Sequence, residues 1–412
     1  MSDVADLLAE LVAIDSTNPG LVPGAAGEQA MARFLAGRLR YAGLEVDLWE
    51  PRLGRPNLVA KLPGSAGGGG GSAGPAPSLM LVGHLDVVGG APEAFHPELR
   101  NGRLYGRGSN DMKAGLAAAV IVAERLAAAG TRTPNGAVVS PLAGDLYVAG
   151  CADEEWESFG AEALVERYHP DAAILPERTD LDVTVEHGGF AWFEIESLGV
   201  EAAGAEPDKG VDAIALLGPM LEGITRLDAE LADRPAASYG RGSIHAATIA
   251  GGTQLPSYPA VCRLGVERCL IAGETVVQSQ AEIEALLAAA ARADPRFSAS
   301  YRTIVGREPV ALSRDDPVVT ALIEAATAEL DRVPTVRGDI GWADSGIFAE
   351  AGIPCAQFGP IGAGEHTAEE WVDLESLEIV TRVLERAALH FCGAVPRPRR
   401  CPGDQPGATQ SM

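Results

Sequence analysis

The chain has 412 residues, 47% of them apolar, more than one ordinary domain needs and enough for two packed cores. Its 32 basic side chains against 57 acidic ones give a formal charge of −25, which argues against nucleic acid and against an anionic membrane as partners. An acidic small molecule is not excluded, because one local arginine can outweigh the global field.

Val4, Leu7, Leu8, Leu11 and Val12 fall at helical spacing in a stretch with acidic residues and no cleavage site, so the N-terminus reads as an amphipathic helix and not a signal peptide. Ser16-Thr17-Asn18-Pro19-Gly20 is a dense turn signal. A helix over about 28–42 and strands over 44–48 and 57–62 follow. The glycine-rich insert 64–77 reads as an exposed loop. Leu79-Met80-Leu81-Val82-Gly83 is a buried strand, 113–129 an alanine-rich helix, and 146–151 and 172–175 two further strands. Strands alternating with helices predict an α/β domain with a mostly parallel sheet.

The pattern changes near residue 186. A strand at 190–198, a helix at 211–232, strands at 243–249 and 260–270, a helix at 275–291 and a strand at 297–305 spell the β-α-β-β-α-β order of a ferredoxin-like module. A candidate strand at 354–359 and a helix at 374–391 then complete the first domain. The expected organisation is a discontinuous catalytic domain of residues 1–185 and 306–394, interrupted by an α+β lid of residues 186–305. A proline-bearing tail, 395–412, is expected to be disordered. Six scattered cysteines without a C-x-x-C pair read as reduced thiols, and no apolar run is long enough to span a bilayer, so a cytoplasmic protein is expected.

The chemistry gathers where strands end. His84 and Asp86 are two apart and can share a direction at the carboxyl edge of a buried strand. An imidazole beside carboxylates at the mouth of an α/β sheet suggests a metal site, zinc first. Glu154 and Glu155 leave another strand as neighbours, so one carboxylate can hold a metal while the other faces the substrate. That division suits metal-assisted hydrolysis, in which a free carboxylate takes a proton from activated water and passes it on. Asp111, in Gly106-Arg107-Gly108-Ser109-Asn110-Asp111-Met112-Lys113, can bridge two ions. Asp86 fits better as the group that orients His84, since ligating histidines usually donate their other nitrogen. Glu177 adds an oxygen, and His366 completes a set of two histidines and three carboxylates.

With those residues in place, the chain resembles the di-zinc amidohydrolase family of aminoacylases, acetylornithine deacetylase, succinyl-diaminopimelate desuccinylase and glutamate carboxypeptidase. The resemblance runs from Ser16 to about Phe391. It rests on Gly-His-Leu-Asp-Val-Val at 83–88, Gly-Arg-Gly-Ser-Asn-Asp-Met-Lys at 106–113, Asp-Glu-Glu at 153–155 and the His366 loop. The resemblance implies that His84 and Glu177 hold one metal and Glu155 and His366 the other. It also implies that Asp111 bridges them, Glu154 is the general acid/base and Asp86 orients His84. A metal-bridging hydroxide would attack an amide carbonyl, most simply of an N-acyl amino acid, and the lid would mediate homodimerisation. Zinc, cobalt and manganese all suit such a site. Rival readings are a dipeptidase or carboxypeptidase and, outside catalysis, a metal-bound ligand-binding protein.

One departure stands out. The family's lid histidine, which stabilises the oxyanion in the partner's site, falls at Ala203, within Gly199-Val200-Glu201-Ala202-Ala203. An engineered inactivation, a slow or specialised enzyme, and a binder that kept its metals are the three readings, with the first slightly favoured. His245 could act in place of the missing histidine. Arg268 matches the lid arginine that clamps a substrate carboxylate in several relatives, a task suited to a guanidinium fork. Pro256 stands where relatives often have an asparagine, so substrate anchoring is expected to differ from theirs. Asp344 lies near the site in the family pattern and is expected to support it from behind.

Overall fold

The computed structural model describes residues 2–65, 76–132 and 138–394. Most of the glycine-rich insert and all of the tail lie outside them. The first domain is built on a nine-stranded sheet. Along it run Glu45–Arg52, Arg55–Leu62, Leu146–Cys151, Leu79–His84, Ala172–Leu175, Cys355–Gln357, Val183–His187 and Val310–Ala311, with Val336–Asp339 beside Val183–His187. The four strands in the middle, from Leu146–Cys151 to Cys355–Gln357, pair in parallel, whereas the flanking pairs at Glu45–Arg52 and Val310–Ala311 are antiparallel. Parallel strands need both faces covered, and both are. On one face the helix Lys113–Ala129 is buried almost all round between the sheet and the helices Asp3–Val12 and Leu374–Phe391. Its alanines let the neighbours approach closely. On the other face Ala161, Leu164, Ile347 and Phe348 of two short helices pack on Val59, Met80, Val82 and Ala149. Each fully buried Val, Leu or Phe here contributes about 1.5–3 kcal/mol relative to exposure.

A second, wholly antiparallel sheet orders Ser243–Gly251, Val261–Leu270, Gly189–Leu198 and Ser298–Arg307. Ala191, Phe193 and Ile195 alternate inward onto Met220, Ile224 and Ile283 of two helices, Gly218–Ala232 and Val276–Ala293. The element order is the one the sequence predicts, with one shifted start. The first of these helices begins at Gly218, not 211, because Pro219 lacks the donor an interior position would need and suits the first turn. Thr275 and Gln278 form a capping box that starts the other.

A small third sheet was not foreseen. Glu98–Arg100, Arg103–Tyr105, Trp371–Asp373 and Gly362–Ala363 pair side by side. It ties the segment after Tyr105 to the segment before Trp371, and so joins two loops far apart in sequence. Among the described residues no helix is long and apolar enough to cross a membrane. The five described cysteines are free.

Candidate metal centre

Parallel pairing sets the carboxyl ends of three strands side by side. Leu79–His84 pairs with Leu146–Cys151 on one side and Ala172–Leu175 on the other. The residues that follow these strands, Asp86, Asp153 to Glu155 and Glu177, therefore meet at one edge of the sheet, where open α/β sheets place ligands. Asp153 turns its chain with φ 74. That left-handed backbone costs about 1–3 kcal/mol at a non-glycine residue and needs support from its surroundings. Support comes from Asn18 Nδ2 and Arg55 Nη2, which donate to the Asp153 carboxylate at 3.1 and 2.8 Å. On the far side a Cβ on Gly115 would overlap the Pro176 carbonyl oxygen, so only glycine lets the long helix lie against the Glu177 loop.

The small third sheet delivers the remaining loops, and Glu370 locks them. Its carboxylate accepts from the backbone N–H of Gly108, Asn110 and Asp111 at 2.9, 2.9 and 3.0 Å, and from Arg107 at 2.8 Å. Arg107 and Glu370 are both buried. Glu370→Ala would strand a buried guanidinium, which costs about 3–5 kcal/mol. It would also release Asp111 and weaken metal binding about 10–100-fold. Urea denaturation and metal titration check this; an unchanged midpoint and affinity would mean the loop is held by something else. Lys113 anchors the same segment from below, donating to the carbonyls of Leu11 and Ile14 at the end of the first helix. Burial pulls its pKa down to about 7.

Within this frame His84 Nε2 lies 3.1 Å from Asp111 Oδ1 and 3.5 Å from Glu177 Oε1. His366 Nε2 lies 3.0 Å from Glu155 Oε2 and 3.5 Å from Asp111 Oδ2. The two Asp111 oxygens thus face different histidines. Ligand atoms of His84, Asp111 and Glu155 lie within 4.8 Å of one another. Glu154 Oε2 stands farther back, 3.9 Å from His84 Nε2. The cleft above these groups holds about 230 Å³ and is walled by Asp339, Trp342, Gln357 and Arg178.

Asp86 does its work differently from the sequence expectation. His84 Nδ1 hydrogen-bonds the Asp86 backbone carbonyl at 2.9 Å, while the Asp86 carboxylate is 3.7 Å away. The carbonyl fixes the tautomer that leaves Nε2 free to ligate. The carboxylate instead accepts from the backbone N–H of Glu154 and Glu155, both at 3.2 Å, and from Asn18 at 2.7 Å. One aspartate therefore aims both the imidazole and the paired glutamates.

The charges are unbalanced in a way that suits cations. Burial, reinforced by Asp344, Glu155 and Glu177 and opposed by His84, raises the Glu154 carboxyl well above its usual range. Burial, with Asp111 adding and His84 opposing, pushes Glu177 up to about 8. Burial pushes Asp344 up to about 7. The hydrogen bond to Asp111, then that to Glu155, raises His366 to about 10. Buried carboxylates this crowded need positive charge, and two imidazoles with the carboxylates of Asp111, Glu155 and Glu177 offer a donor set for hard-to-borderline divalent ions.

Glu177 and Asp344 are raised above their unfolded values. The stability that goes with their neutral forms is fully present below pH 4.5 for Glu177 and below 3.8 for Asp344, and is lost as pH rises toward about 8 and 7. Metal binding displaces these protons, so metal affinity rises over the same window. We expect the melting-temperature gain on adding zinc to be larger at pH 8 than at pH 6. Equal gains at both pH values would show that the carboxyls are already ionised without metal.

None of the three expected substrate contacts lines the cleft of its own chain, and for Ala203 the expected site is the partner's. Arg268, expected to clamp a substrate carboxylate, is buried inside the lid. Its nitrogens are occupied by Glu282 at 2.9 Å, Glu274 at 2.7 and 3.1 Å, and the Cys269 carbonyl. No fork is left to offer, because two acidic residues of the following turn and helix consume it. His245 projects from the lid's edge strand into solvent, 3.5 Å from Glu267. Ala203 lies exposed on the loop after Leu198, bridged to Ser257. Asn18, Arg55 and Glu370 are the supporting residues that sequence reasoning missed. Asn18 stood inside a recognised turn signal, but nothing in the spacing tied it to Asp86.

A cluster of carboxylates and imidazoles at the carboxyl edge of a parallel sheet, buried except at His366, with an antiparallel domain inserted beside it, defines a metallohydrolase. The chain belongs to the peptidase family M20/M25/M40, whose profile matches residues 80–390. It is 31% identical over 409 residues to the acetylornithine deacetylase of Myxococcus xanthus, covering 94% of this chain and 97% of that one. It is 26% identical over 401 residues to the N-formyl-4-amino-5-aminomethyl-2-methylpyrimidine deformylase of Bacillus subtilis, covering 90% and 91%. A solved Bacillus subtilis structure described as a dinuclear metal binding peptidase of the M20 family superposes with a TM-score of 0.67 at 15% identity, covering 95% and 98%. This protein is accordingly a metal-dependent hydrolase of amide bonds.

Proposed function

We propose that the protein deacylates an N-acyl amino acid or a related small amide, using two divalent ions of which zinc is the first candidate. The observation that carries this reading is Asp111, whose two oxygens face His84 and His366 separately. In this reading His84 and Glu177 hold one ion, Glu155 and His366 the other, and Asp111 bridges. Two ions so held supply Lewis acidity toward the amide carbonyl and lower the pKa of water. Glu154, buried and set back from the ligand pairs, takes the proton of the attacking water and delivers it to the leaving amine. Asp86 keeps Glu154 and His84 aimed through the contacts described above. Relatives named for deformylation, deacetylation and desuccinylation, at 26%, 31% and 29% identity, support an acyl group over a peptide as the departing half. Free thiols suit the cytoplasm.

We assign residues 186–305 the role of a lid and dimerisation domain. The edge strand Ser243–Gly251 supports this, because its outer backbone edge is unpaired among the described residues and residues from His245 onward are exposed, with Ile249 53% accessible. An exposed edge of this kind is normally covered. Sedimentation should therefore find a dimer. The chemical test is amine release from a panel of N-acyl amino acids beside dipeptides with matched side chains. Turnover of the acyl compounds alone supports deacylation, and turnover of the dipeptides alone replaces it with a dipeptidase.

A further inference from the structure

The cleft over the metal ligands carries a single guanidinium among its lining residues, that of Arg178. Arg178 directly follows Glu177 on the segment leaving the strand Ala172–Leu175. That segment is fixed from behind, where Thr179 Oγ1 accepts from the Gly359 N–H at 2.8 Å. Arg178 Nε is held by Glu365, whose Oε1 lies 2.8 Å away in an ion pair. Among the described residues no hydrogen bond is made by either terminal nitrogen of Arg178. The side chain keeps 37% of its surface, in contrast to Arg268, which keeps 2% and is fully engaged. Glu365 also accepts from Asn110 Nδ2, at 3.3 Å, so the Arg178–Glu365 pair stands between the Asp111 and His366 loops.

A guanidinium whose two terminal nitrogens are unused, the one arginine among the residues lining this cleft, is built to receive an anion. We propose that Arg178 is the specificity-determining residue of this enzyme and binds a carboxylate of the substrate, the task that Arg268 cannot perform. Its place next to Glu177 puts that carboxylate within a few bonds of the scissile amide. The carboxylate belongs either to the amino acid or to a short dicarboxylic acyl group. The inference rests on the amide-hydrolase reading of the same site.

The test uses zinc-loaded full-length protein and two pairs of compounds. One pair is an N-acetyl amino acid and its carboxamide. The other is the N-succinyl and N-butanoyl derivatives of one uncharged amine. Hydrolysis rates and calorimetric dissociation constants are measured for the parent and for Arg178→Ala, Arg178→Lys and Arg178→Met, with metal content recorded for each. The parent should favour the carboxylate in one pair by about 30-fold or more, which identifies its source. Arg178→Ala should reduce that preference to within about threefold, acting through KM, and Arg178→Lys should keep part of it. If Arg178→Ala loses metal, Arg178→Met, which keeps the stem, decides. An undiminished preference in metal-replete Arg178→Ala or Arg178→Met overturns the proposal, as does a parent with no preference in either pair. If no compound is cleaved, the hydrolase reading fails by itself, and the dissociation constants still decide whether Arg178 selects carboxylates.

Discussion

Glu154→Gln is expected to bind two metals as the parent does and to hydrolyse amides about 10²–10⁴-fold more slowly. The asymmetry of the Glu154–Glu155 pair is the reason. Glu155 contacts His366 at 3.0 Å, whereas Glu154 comes no nearer than 3.9 Å to His84 and makes no side-chain hydrogen bond among the described residues. Its carboxyl is raised well above the ordinary range by burial and by its acidic neighbours, with His84 opposing, which makes the carboxylate a stronger proton acceptor than an exposed one. Glutamine preserves shape and the backbone contacts to Asp86 but removes the base. Steady-state kinetics with metal analysis checks this. Full metal content with activity near that of the parent would move the proton transfer to another group.

Ala203→His is expected to raise turnover by about 10²–10³-fold, the worth of one oxyanion donor. Position 203 lies on an exposed lid loop, bridged to Ser257, where a methyl can contact nothing chemical and an imidazole has room. The resemblance to the amidohydrolase family implies that this loop offers a histidine at position 203 to the partner's site, and the new side chain is expected to reach it. The measurement is kcat on the best substrate of the acyl panel. Equal turnover of both forms would mean that another group, such as His245 in the lid strand, stabilises the oxyanion.

What could be read in advance divides along a physical line. Strand ends, glycine-bearing loops and paired carboxylates are local signals, so His84, Asp111, Glu154, Glu155, Glu177 and His366 were all legible, and the structure brings them to one place. The β-α-β-β-α-β order of the inserted sheet was legible for the same reason, since its periodicity switches clearly. Contacts that join distant segments were not. The small sheet formed by Trp371–Asp373 and Arg103–Tyr105 has strands of three residues, too short for any periodicity to show. Glu370 reads as one acid among several until the fold places it under the N–H groups of Gly108, Asn110 and Asp111. Arg268 shows the reverse failure. Its position in a strand fits an outward fork, but Glu274 and Glu282, six and fourteen residues on, fold back to claim it. Asp86 meets His84 through its carbonyl and not its carboxylate, because which of the two reaches an imidazole two residues away depends on backbone angles that sequence does not display.

The most direct test of a metal-dependent amide hydrolase is a titration of metal-stripped protein with zinc, following amine release from an N-acyl amino acid panel and bound metal together. The account predicts no activity without metal, activity that rises as the site fills and saturates near two ions per chain, and loss again with a chelator. Two tightly bound ions with no amine released from any compound, even by the Ala203→His form, would contradict it and leave a metal-bound binding protein in its place.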